Sequence, residues 1–423
     1  MLVVYISHVQ FSSKIADHWL FNDLKMNGIQ CKYYDVGALV RPNYVRDDLI
    51  MADEKVFISY KEFASQLAIQ SSDRTIYVMF FLPDASSLAL YRIMTKYACC
   101  MILFAWGSFP HANFRSIKKK GLKGFVKEKA SLRVLNGLVK RIHARLMDEV
   151  IQVYIRLGLV SPLDTLFTAG SVAFRNRVSC RQRVPVNLCD NDNFIEIKEK
   201  TCRKIVERYV LFIDSNMVGH HETPPDEYIM DPSVYFNKLN RAFDTLEKDL
   251  DLKVVISAHP CSVYTDDTFE GRVIVKGSTA ELVKYAEFVI AHQSTAISYA
   301  VLFEKPLLLI KTDEMERIVG SSPLRPMQGV AEKLNVNIFR AEDLATMTPL
   351  DLPYVDNRLY NKYKYEYILS FGVETGKNID NVLPKILEIF NRNETLRCNQ
   401  RGVRIPTKAG GSAPTVGEFT HSD

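Results

Sequence analysis

The chain has 423 residues, of which 47% are hydrophobic, 11% aromatic and 24% charged. This composition is typical of globular proteins and excludes a disordered chain, a collagen-like chain and a coiled-coil rod. With 54 basic and 49 acidic residues the formal net charge is only +5, which argues against a nucleic-acid binder with one saturating basic face.

The cysteine pattern and the apolar stretches predict the compartment. The eight cysteines form no CxxC pair and no zinc spacing, so we expect neither a disulfide framework nor a metal site. The amino terminus has no basic n-region and no small-residue cleavage site. The longest apolar stretch, 98–106, is far shorter than the ~20 residues of a membrane span. These features predict a soluble, cytoplasmic protein.

The first half of the chain alternates between predicted strands and helices. A helix is expected to begin at Ser12 or Ser13, because serine caps helices, and to end before Gly28. The alternation predicts a mostly parallel sheet with helices on both faces. Strands are predicted at 2–7, 30–34, 75–82, 99–106 and 165–173, helices at 86–97 and 127–147, and an inter-domain connection at 185–192.

The same alternation restarts in the second half. The late helices are expected to pack back over the first domain, and the glycine-rich tail at 391–423 is expected to be disordered. We therefore predict an α/β protein with a first domain at 1–185 and a second at 186–390. Strands are predicted at 209–213, 252–257, 272–275, 288–291 and 306–310, and helices at 232–249, 279–286, 296–303, 360–371 and 380–391.

Polar residues follow four consecutive predicted strands of the second half. In an open parallel α/β sheet, ligands bind beyond the carboxyl ends of the strands. Four polar strand ends at one edge therefore predict a ligand cleft. The residues are Asp214, then His259-Pro260, then Gly277-Ser278-Thr279 with Glu281, then His292-Gln293-Ser294-Thr295.

Each of these groups suits the binding of a nucleotide-sugar. Free N–H groups at a helix start favour phosphate oxygens, and the Ser294 and Thr295 hydroxyls can add donors. His259, held by Pro260, can reach a phosphate or a nucleoside hydroxyl, and Glu281 can accept from ribose hydroxyls. Taken singly, each also has a structural interpretation, since a serine or threonine at a helix start is usually a cap.

The segment from Lys253 to Ile310 begins KVVISAHP and continues RVIVKGSTAELVKYAEFVIAHQSTAISYAVLFEKPLLLI. It resembles the carboxyl-terminal domain of bacterial surface-polysaccharide glycosyltransferases with the GT-B architecture, in which two Rossmann-like domains face each other across a cleft. The pattern, with the preceding VLFIDSNMVGHHE, is similar to sialyltransferase-like and Kdo-transferase-like families, which use CMP-activated acidic sugars.

The resemblance implies roles for the polar strand ends. His259 would contact the donor phosphate or ribose, Ser294 and Thr295 would hold the phosphate, and Gly277 to Thr279 with Glu281 would line the nucleoside pocket. His292 precedes Gln293-Ser294-Thr295 where a Ser-Ser pair is common in sialyltransferases. This departure leaves CMP-sialic acid itself open as the donor.

An inverting transfer also needs a general base for the acceptor hydroxyl. In GT-B enzymes the base normally comes from the amino-terminal domain, where His8, Asp84 and His111 are candidates at strand ends. Asp214 and the nearby His220 are further candidates, and the sequence does not choose among them. GT-B enzymes usually hold the donor phosphate without a bound metal, so the resemblance implies transfer without a metal ion and without a cofactor.

A basic segment with interleaved aromatic residues runs from Arg115 to Lys127. Such a segment can lie on an anionic membrane surface or guide an acidic acceptor, and it is equally consistent with a solvated loop. Expected partners are a nucleotide-sugar donor and a glycan or glycolipid acceptor, as in capsule or lipopolysaccharide assembly. No nucleic acid is expected, since no RNA-binding motif accompanies the patch.

Two other functions fit the same fold. The first is a nucleotide-sugar 2-epimerase, although such enzymes usually carry Ser-Gly-Gly where this chain has Gln293-Ser294-Thr295. The second is a non-catalytic protein that binds a nucleotide-sugar or helps an assembly complex.

Overall fold

A computed structural model describes residues 1–41, 44–70, 74–106, 110, 146–147, 149–172, 178–219, 230–317, 324–346 and 352–400. The described residues form two parallel sheets, of seven and six strands, with helices packed on both faces of each. The predicted α/β fold class is therefore confirmed.

The first sheet is built from strands whose side chains are buried on both faces. In β1 (Leu2–Ser7), five of six residues are buried, as a parallel strand covered by two helix layers requires. The strand order is β3-β2-β1-β4-β5-β6-β7. The other strands are β2 (Gln30–Asp35), β3 (Glu54–Val56), β4 (Thr75–Met79), β5 (Cys100–Ala105), β6 (Leu163–Ala169) and β7 (Cys180–Val186).

The helices of this part differ from the prediction at one place. The single helix expected from Ser12 or Ser13 is two helices, because the buried Leu20 takes a left-handed backbone with φ of 59°. Ser12 does cap the first of them, since its side chain accepts from the Ile15 N–H. The helices are α1 (Ser13–His18), α2 (Phe21–Met26), α3 (Gly37–Val40), α4 (Tyr60–Ile69) and α5 (Leu88–Lys96).

The second sheet repeats the arrangement of the first. Its order is β10-β9-β8-β11-β12-β13, and every pairing is parallel. In both sheets the first six strands follow the order 3-2-1-4-5-6 of a Rossmann fold. The strands are β8 (Tyr209–Ile213), β9 (Lys253–Ala258), β10 (Ile274–Lys276), β11 (Val289–Ala291), β12 (Leu307–Lys311) and β13 (Ile338–Arg340).

The helices of the second part include one that begins within the predicted inter-domain connection. Pro185 and Val186 complete β7, and helix α6 begins four residues later, at Asp190. The helices are α6 (Asp190–Lys198), α7 (Pro232–Leu250), α8 (Thr279–Tyr285), α9 (Ile297–Leu302), α10 (Asp313–Arg317) and α11 (Leu324–Leu334).

The two late helices pack differently from each other. Tyr360 and Tyr363 of α12 (Asn357–Tyr363) join the core of the second sheet. Helix α13 (Asn378–Gln400) packs its apolar residues against the first sheet, as expected for a late helix. Because α13 continues to Gln400, residues 391–400 are helical, and residues 401–423 of the predicted tail lie outside the described residues.

The chain passes between the sheets twice, and the two passages are hydrogen-bonded together. The backbone N–H of Asn187 donates to Asn378 Oδ1 (2.8 Å), and its side-chain Oδ1 accepts from the Ser370 N–H (3.0 Å). Ser370 Oγ in turn donates to the Val186 carbonyl (2.7 Å). The predicted domain boundary at 185/186 stands next to this junction.

One further property concerns membranes. None of the described helices combines the length and the apolar character that crossing a bilayer requires.

Candidate active site

Each sheet has one point where the strand order reverses, between β1 and β4 and between β8 and β11. Open α/β sheets bind ligands in the crevice at such a point, beyond the carboxyl ends of the strands. The parallel registers Ile6↔Met79 and Ile213↔Ala291 bring the chain that follows each strand pair to the same edge. His8 and Asp84 therefore follow the first reversal point, and Asp214 and His292 the second.

The second reversal point is held together by side chains. Ser215 Oγ donates to the Gln293 carbonyl (2.6 Å), which links the ends of β8 and β11. The Gln293 side-chain Oε1 is buried and has no hydrogen-bond partner among the described residues. A buried acceptor in this state calls for a ligand or water as its partner.

Asp214 is a framework residue of this crevice. Its side chain is buried, and Oδ1 accepts from the Asn216 N–H (2.8 Å). Oδ2 accepts from the His259 N–H (3.0 Å) and from the Tyr264 hydroxyl (2.8 Å). These donors engage both carboxylate oxygens, and the carboxylate thereby positions the loop after β9.

The loop after β9 favours one tautomer of the His259 ring. His259 is half-buried and Pro260 is exposed. Nδ1 of His259 accepts from the Cys261 N–H (3.2 Å), so the neutral ring carries its proton on Nε2. The His259 carbonyl accepts from the Ser262 hydroxyl (2.7 Å), which closes the turn. The turn fixes the ring with Nε2–H as a donor.

His292, predicted to bind the ligand, lies inside the protein with its side chain fully buried. Nδ1 of this fully buried ring is 2.7 Å from the Ile310 carbonyl, which can only accept, so Nδ1 carries the proton. Nε2 then accepts from the Tyr235 hydroxyl (2.8 Å). Burial lowers the pKa of His292 and keeps the ring neutral. Both nitrogens are occupied, so His292 joins β11 to β12 and α7.

The predicted phosphate residues follow His292 at the crevice. Ser294 Oγ accepts from the Ala296 N–H (3.3 Å), and Thr295 is exposed. Helix α9 begins at Ile297 and has six residues, and α8 has seven, so both are shorter than predicted. A short helix has a small macrodipole, and an anion here would depend on hydroxyls and loop N–H groups.

The chain that follows β10 is contacted by Lys204, a residue that the sequence analysis did not single out. Gly277 has φ of 78°, a left-handed conformation that favours glycine. Lys204 Nζ contacts Ser278 Oγ (2.5 Å) and the Glu281 carboxylate (3.4 Å). Thr279 Oγ1 bonds Ser257 Oγ (2.7 Å). Glu281 is thus an ion-paired residue, and Lys204 brings a positive charge to the predicted nucleoside pocket.

A cavity of about 590 Å³ lies beside the His259 turn, between the ends of β8 and β9 and the start of α7. Asp231 caps α7 by accepting from the Ser233 and Val234 N–H groups. The volume is in the range of small-molecule sites. The lining includes Asn216, Gly219, Ser233, Phe236, Cys261 and Tyr264.

His8, at the first reversal point, is a neutral imidazole near neutral pH. Partial burial and, to a smaller extent, the positive charge of Arg41 lower its pKa to about 4, while Asp84 acts in the opposite direction. The ring packs against Phe81 at a centroid distance of 5.1 Å. His8 thus remains a half-buried base candidate.

Asp84, at the same reversal point, caps the turn that leads into α5. Its exposed carboxylate accepts through Oδ1 from the N–H and hydroxyl groups of both Ser86 and Ser87, at 2.8 to 3.0 Å. Desolvation alone would raise the pKa of Asp84, but these hydrogen bonds outweigh it and lower the pKa below 3.8. The structure makes Asp84 a cap for the turn into α5 and a weak base.

Three other predicted features, His111, His220 and the basic segment Arg115 to Lys127, lie outside the described residues.

A contact between the two sheets was not predicted. His18, at the end of α1, has its ligand atom within 4.8 Å of those of Cys189 and Asp190 at the start of α6. Asp190 accepts from the Ser298 hydroxyl (2.5 Å) in α9. Helix α1 follows the first reversal point and α9 follows the second, so these contacts connect the two crevices.

Comparisons with known proteins gave structural likenesses alone. No protein family and no curated protein matches the sequence. The calicheamicin glycosyltransferase CalG4 aligns with TM-score 0.46 and 9% identity, over 92% of this chain and 98% of its own. The wall teichoic acid polymerase TagF (H444N variant) aligns with TM-score 0.48 and 11% identity, over 95% and 90%.

The UDP-GlcNAc 2-epimerase of Methanocaldococcus jannaschii, in complex with UDP-GlcNAc and UDP, aligns with TM-score 0.42 and 11% identity, over 85% of this chain and 97% of its own. TM-scores and identities this low do not extend the activities of those proteins to this chain. What the site does must be argued from its residues.

Proposed function

We propose that this chain is a glycosyltransferase that moves a sugar from a nucleotide-sugar donor to a cell-surface polysaccharide or lipopolysaccharide acceptor. The observation that carries the proposal is the buried Asp214 carboxylate, which holds the His259 turn at the reversal point of the second sheet. Next to it, Gln293 offers a buried acceptor without a partner among the described residues. A pre-formed polar crevice of this kind suits a nucleotide-sugar.

The donor diphosphate or monophosphate would lie between the His259 turn and Ser294-Thr295. The Nε2–H of His259 and the two hydroxyls are neutral donors for phosphate oxygens. The nucleoside would lie along Gly277 to Thr279, near Lys204 and Glu281. These residues bind the leaving group, and their hydrogen bonds stabilise the negative charge that grows on it during transfer.

We propose His8 as the general base. Its neutral imidazole would take the proton of an acceptor hydroxyl while the oxygen attacks the anomeric carbon, with inversion. A pKa of about 4 makes a weak base, but part of this shift comes from Arg41. The negative charge of a bound donor compensates Arg41 and raises the pKa of His8 towards the working pH.

The proposed transfer does not use a metal ion. Asp214, an acidic residue of the second crevice, has both oxygens engaged by N–H and O–H donors. Its carboxylate would have to give up these donors to coordinate an ion. The donors proposed for the phosphate, the His259 Nε2–H and the two hydroxyls, would take over the charge stabilisation that a metal supplies elsewhere.

The remaining parts of the proposal rest on the sequence resemblance. The donor is an acidic, CMP-activated sugar, residues 1–185 hold the acceptor, and residues 186–390 hold the donor. The protein acts in the cytoplasm, and the segment Arg115 to Lys127 attaches it to the anionic inner membrane face, where a lipid-linked acceptor is exposed.

The test is a nucleotide screen on the full chain. CMP, UDP, GDP and CDP are added singly, and the melting temperature is measured. We expect one nucleotide to raise it, His259→Ala to abolish the rise, and Cys261→Ser to retain it, because the Cys261 N–H to His259 remains. If His259→Ala still responds as the unmodified chain does, the proposed site is wrong.

The reaction is then assayed with the sugar derivatives of the nucleotide that binds. Release of free nucleotide only in the presence of a glycan acceptor supports transfer. Isomerisation of the donor sugar without acceptor identifies a 2-epimerase, and binding without turnover identifies a non-catalytic protein. Each of these two results contradicts the proposal.

A further inference from the structure

Three metal-ligating side chains meet where the two sheets approach each other. The ligand atoms of His18, Cys189 and Asp190 all lie within 4.8 Å of one another. His18 comes from α1 beside the first sheet, and the other two come from the start of α6 beside the second. Imidazole nitrogen, thiolate sulfur and carboxylate oxygen form a donor set that suits zinc.

The hydrogen bond of His18 leaves the correct nitrogen for a metal. Nδ1 lies 2.9 Å from the Lys14 carbonyl, which can only accept, so Nδ1 carries the ring proton. The Nε2 lone pair of the neutral ring is then available for coordination. A histidine whose second nitrogen donates to a backbone carbonyl is a common arrangement around protein-bound zinc.

The Asp190 carboxylate is oriented by its own neighbours. It is buried and accepts from the Ser298 hydroxyl at 2.5 Å. Tyr299 also bonds this carboxylate, and the Tyr299 hydroxyl accepts from Asn193 Nδ2 (3.0 Å). Carboxylates that bind metals are typically held by hydrogen bonds of this kind.

Cys189, the N-cap residue of α6, is the third ligand of the cluster. It is the residue that precedes α6, where backbone N–H groups stabilise a thiolate. Without an ion, burial raises the pKa of the Cys189 thiol well above its usual value, and the nearby Asp190 and Asp192 raise it further.

We propose that His18, Cys189 and Asp190 bind a single divalent ion of the zinc class that connects α1 to α6 and α9. Zinc bonds of about 2.0 to 2.3 Å place tetrahedral ligands roughly 3.3 to 3.8 Å apart, so side chains whose ligand atoms lie within 4.8 Å need only small rotations to coordinate one ion. The fourth position is filled by water. This site does not depend on the glycosyltransferase function, and the ion does not take part in transfer.

The proton balance of binding follows from the thiol. Zn²⁺ replaces the proton of Cys189, and that proton passes to the buffer, so the complex has a neutral imidazole, a thiolate and a carboxylate around the ion. Because protons and zinc compete for the same sulfur, the affinity for zinc increases as the pH rises.

The primary test measures zinc binding to the metal-stripped full chain by competition with a chromophoric chelator. We expect one tight ion per chain, and a loss of affinity of about tenfold or more in each of His18→Ala, Cys189→Ser and Asp190→Asn. The matched control Cys202→Ser removes an exposed cysteine outside the cluster and leaves the affinity unchanged. Weak binding by the unmodified chain, or equal affinity in all variants, overturns the proposal.

Cobalt provides a second readout that separates loss of a ligand from loss of the fold. Co²⁺ in the site gives a thiolate-to-cobalt charge-transfer absorption, which Cys189→Ser abolishes and Cys202→Ser retains. The half-exposed His18→Ala variant is expected to fold, as circular dichroism checks. If Co²⁺ shows no thiolate absorption in the unmodified chain, the site is not a metal centre. The same conclusion follows if His18→Ala changes the transfer rate without changing zinc affinity.

Discussion

The two reversal points share one topology and differ in how their polar groups are used. At the second, Asp214 and His292 are buried and every oxygen or nitrogen of their side chains is hydrogen-bonded. At the first, His8 is half-buried and Asp84 is exposed. The polar groups of the second crevice are therefore fixed by hydrogen bonds, whereas the first crevice has a half-buried imidazole and an exposed carboxylate.

The difference has an electrostatic cause. A buried carboxylate such as Asp214 is tolerated only when donors replace its water, and three donors do so. His8 is only partly desolvated, and this burial, together with the charge of Arg41, lowers its pKa to about 4. In the proposed mechanism, donor binding and proton transfer therefore belong to different sheets.

The largest expected effect comes from His8→Ala. Removing the proposed base should lower the transfer rate by about 10²- to 10⁴-fold, with nucleotide affinity unchanged, because the donor crevice belongs to the other sheet. Steady-state kinetics and calorimetric titration measure the two quantities. Asp84→Ala, at the same reversal point, is the control with a nearly unchanged rate. A His8→Ala variant that transfers normally would remove the chemical distinction between the two crevices.

Asp214→Ala should have the next largest effect, on stability and nucleotide binding together. It leaves the N–H groups of Asn216 and His259 and the Tyr264 hydroxyl without their acceptor, at a cost of about 3 kcal/mol in the free energy of unfolding. Urea denaturation measures this change. Asp214→Asn retains one acceptor oxygen and should lose less. If Asp214→Ala keeps full nucleotide affinity, the His259 turn does not need its carboxylate.

Asp84→Ala should lower the free energy of unfolding by about 1 kcal/mol, the usual contribution of a helix-start cap. Asp84→Asn keeps a side-chain oxygen and should recover most of the loss. Thermal denaturation of the three chains gives the comparison. A large fall in transfer rate with no loss of stability would instead identify Asp84 as the base.

The smallest effect is the pH dependence of stability due to His8. The pKa of His8 is lowered from 6.5 to about 4 in the folded chain, so between these values the unfolded chain binds more protons. The folded state therefore loses stability as the pH falls from 6.5 towards 4, and the contribution is fully present above 6.5. His8→Asn should flatten this part of the profile. Equal profiles in the two chains would show that His8 is not desolvated.

Strand positions and the edge that binds ligands were accessible from the sequence. Strands β1 and β8 have the predicted bounds, since continuous apolar, β-branched runs are typical of strands buried on both faces. The edge strands β3, β7 and β13 were not predicted. Cys180–Val186 alternates between half-buried and exposed residues and includes a proline, so its apolar signal is weak.

Side-chain roles at the reversal points were harder to predict. His292 and His259 both follow apolar strands, and their opposite environments arise from Tyr235 and Ile310 in one case and Cys261 in the other. Lys204 could have been noticed only as one cation in a charged stretch. Whether a polar side chain faces a crevice or a core depends on residues distant in sequence.

Two α/β halves and the edge at which their polar residues gather were predictable from the sequence, because hydrophobic periodicity and strand-end composition are local properties. Which of these polar residues are buried in hydrogen-bond networks and which are exposed depends on contacts between distant parts of the chain. The same is true of the approach of His18 to Cys189 and Asp190. These residues are about 170 positions apart, and only the packing of α1 against α6 brings them within bonding reach.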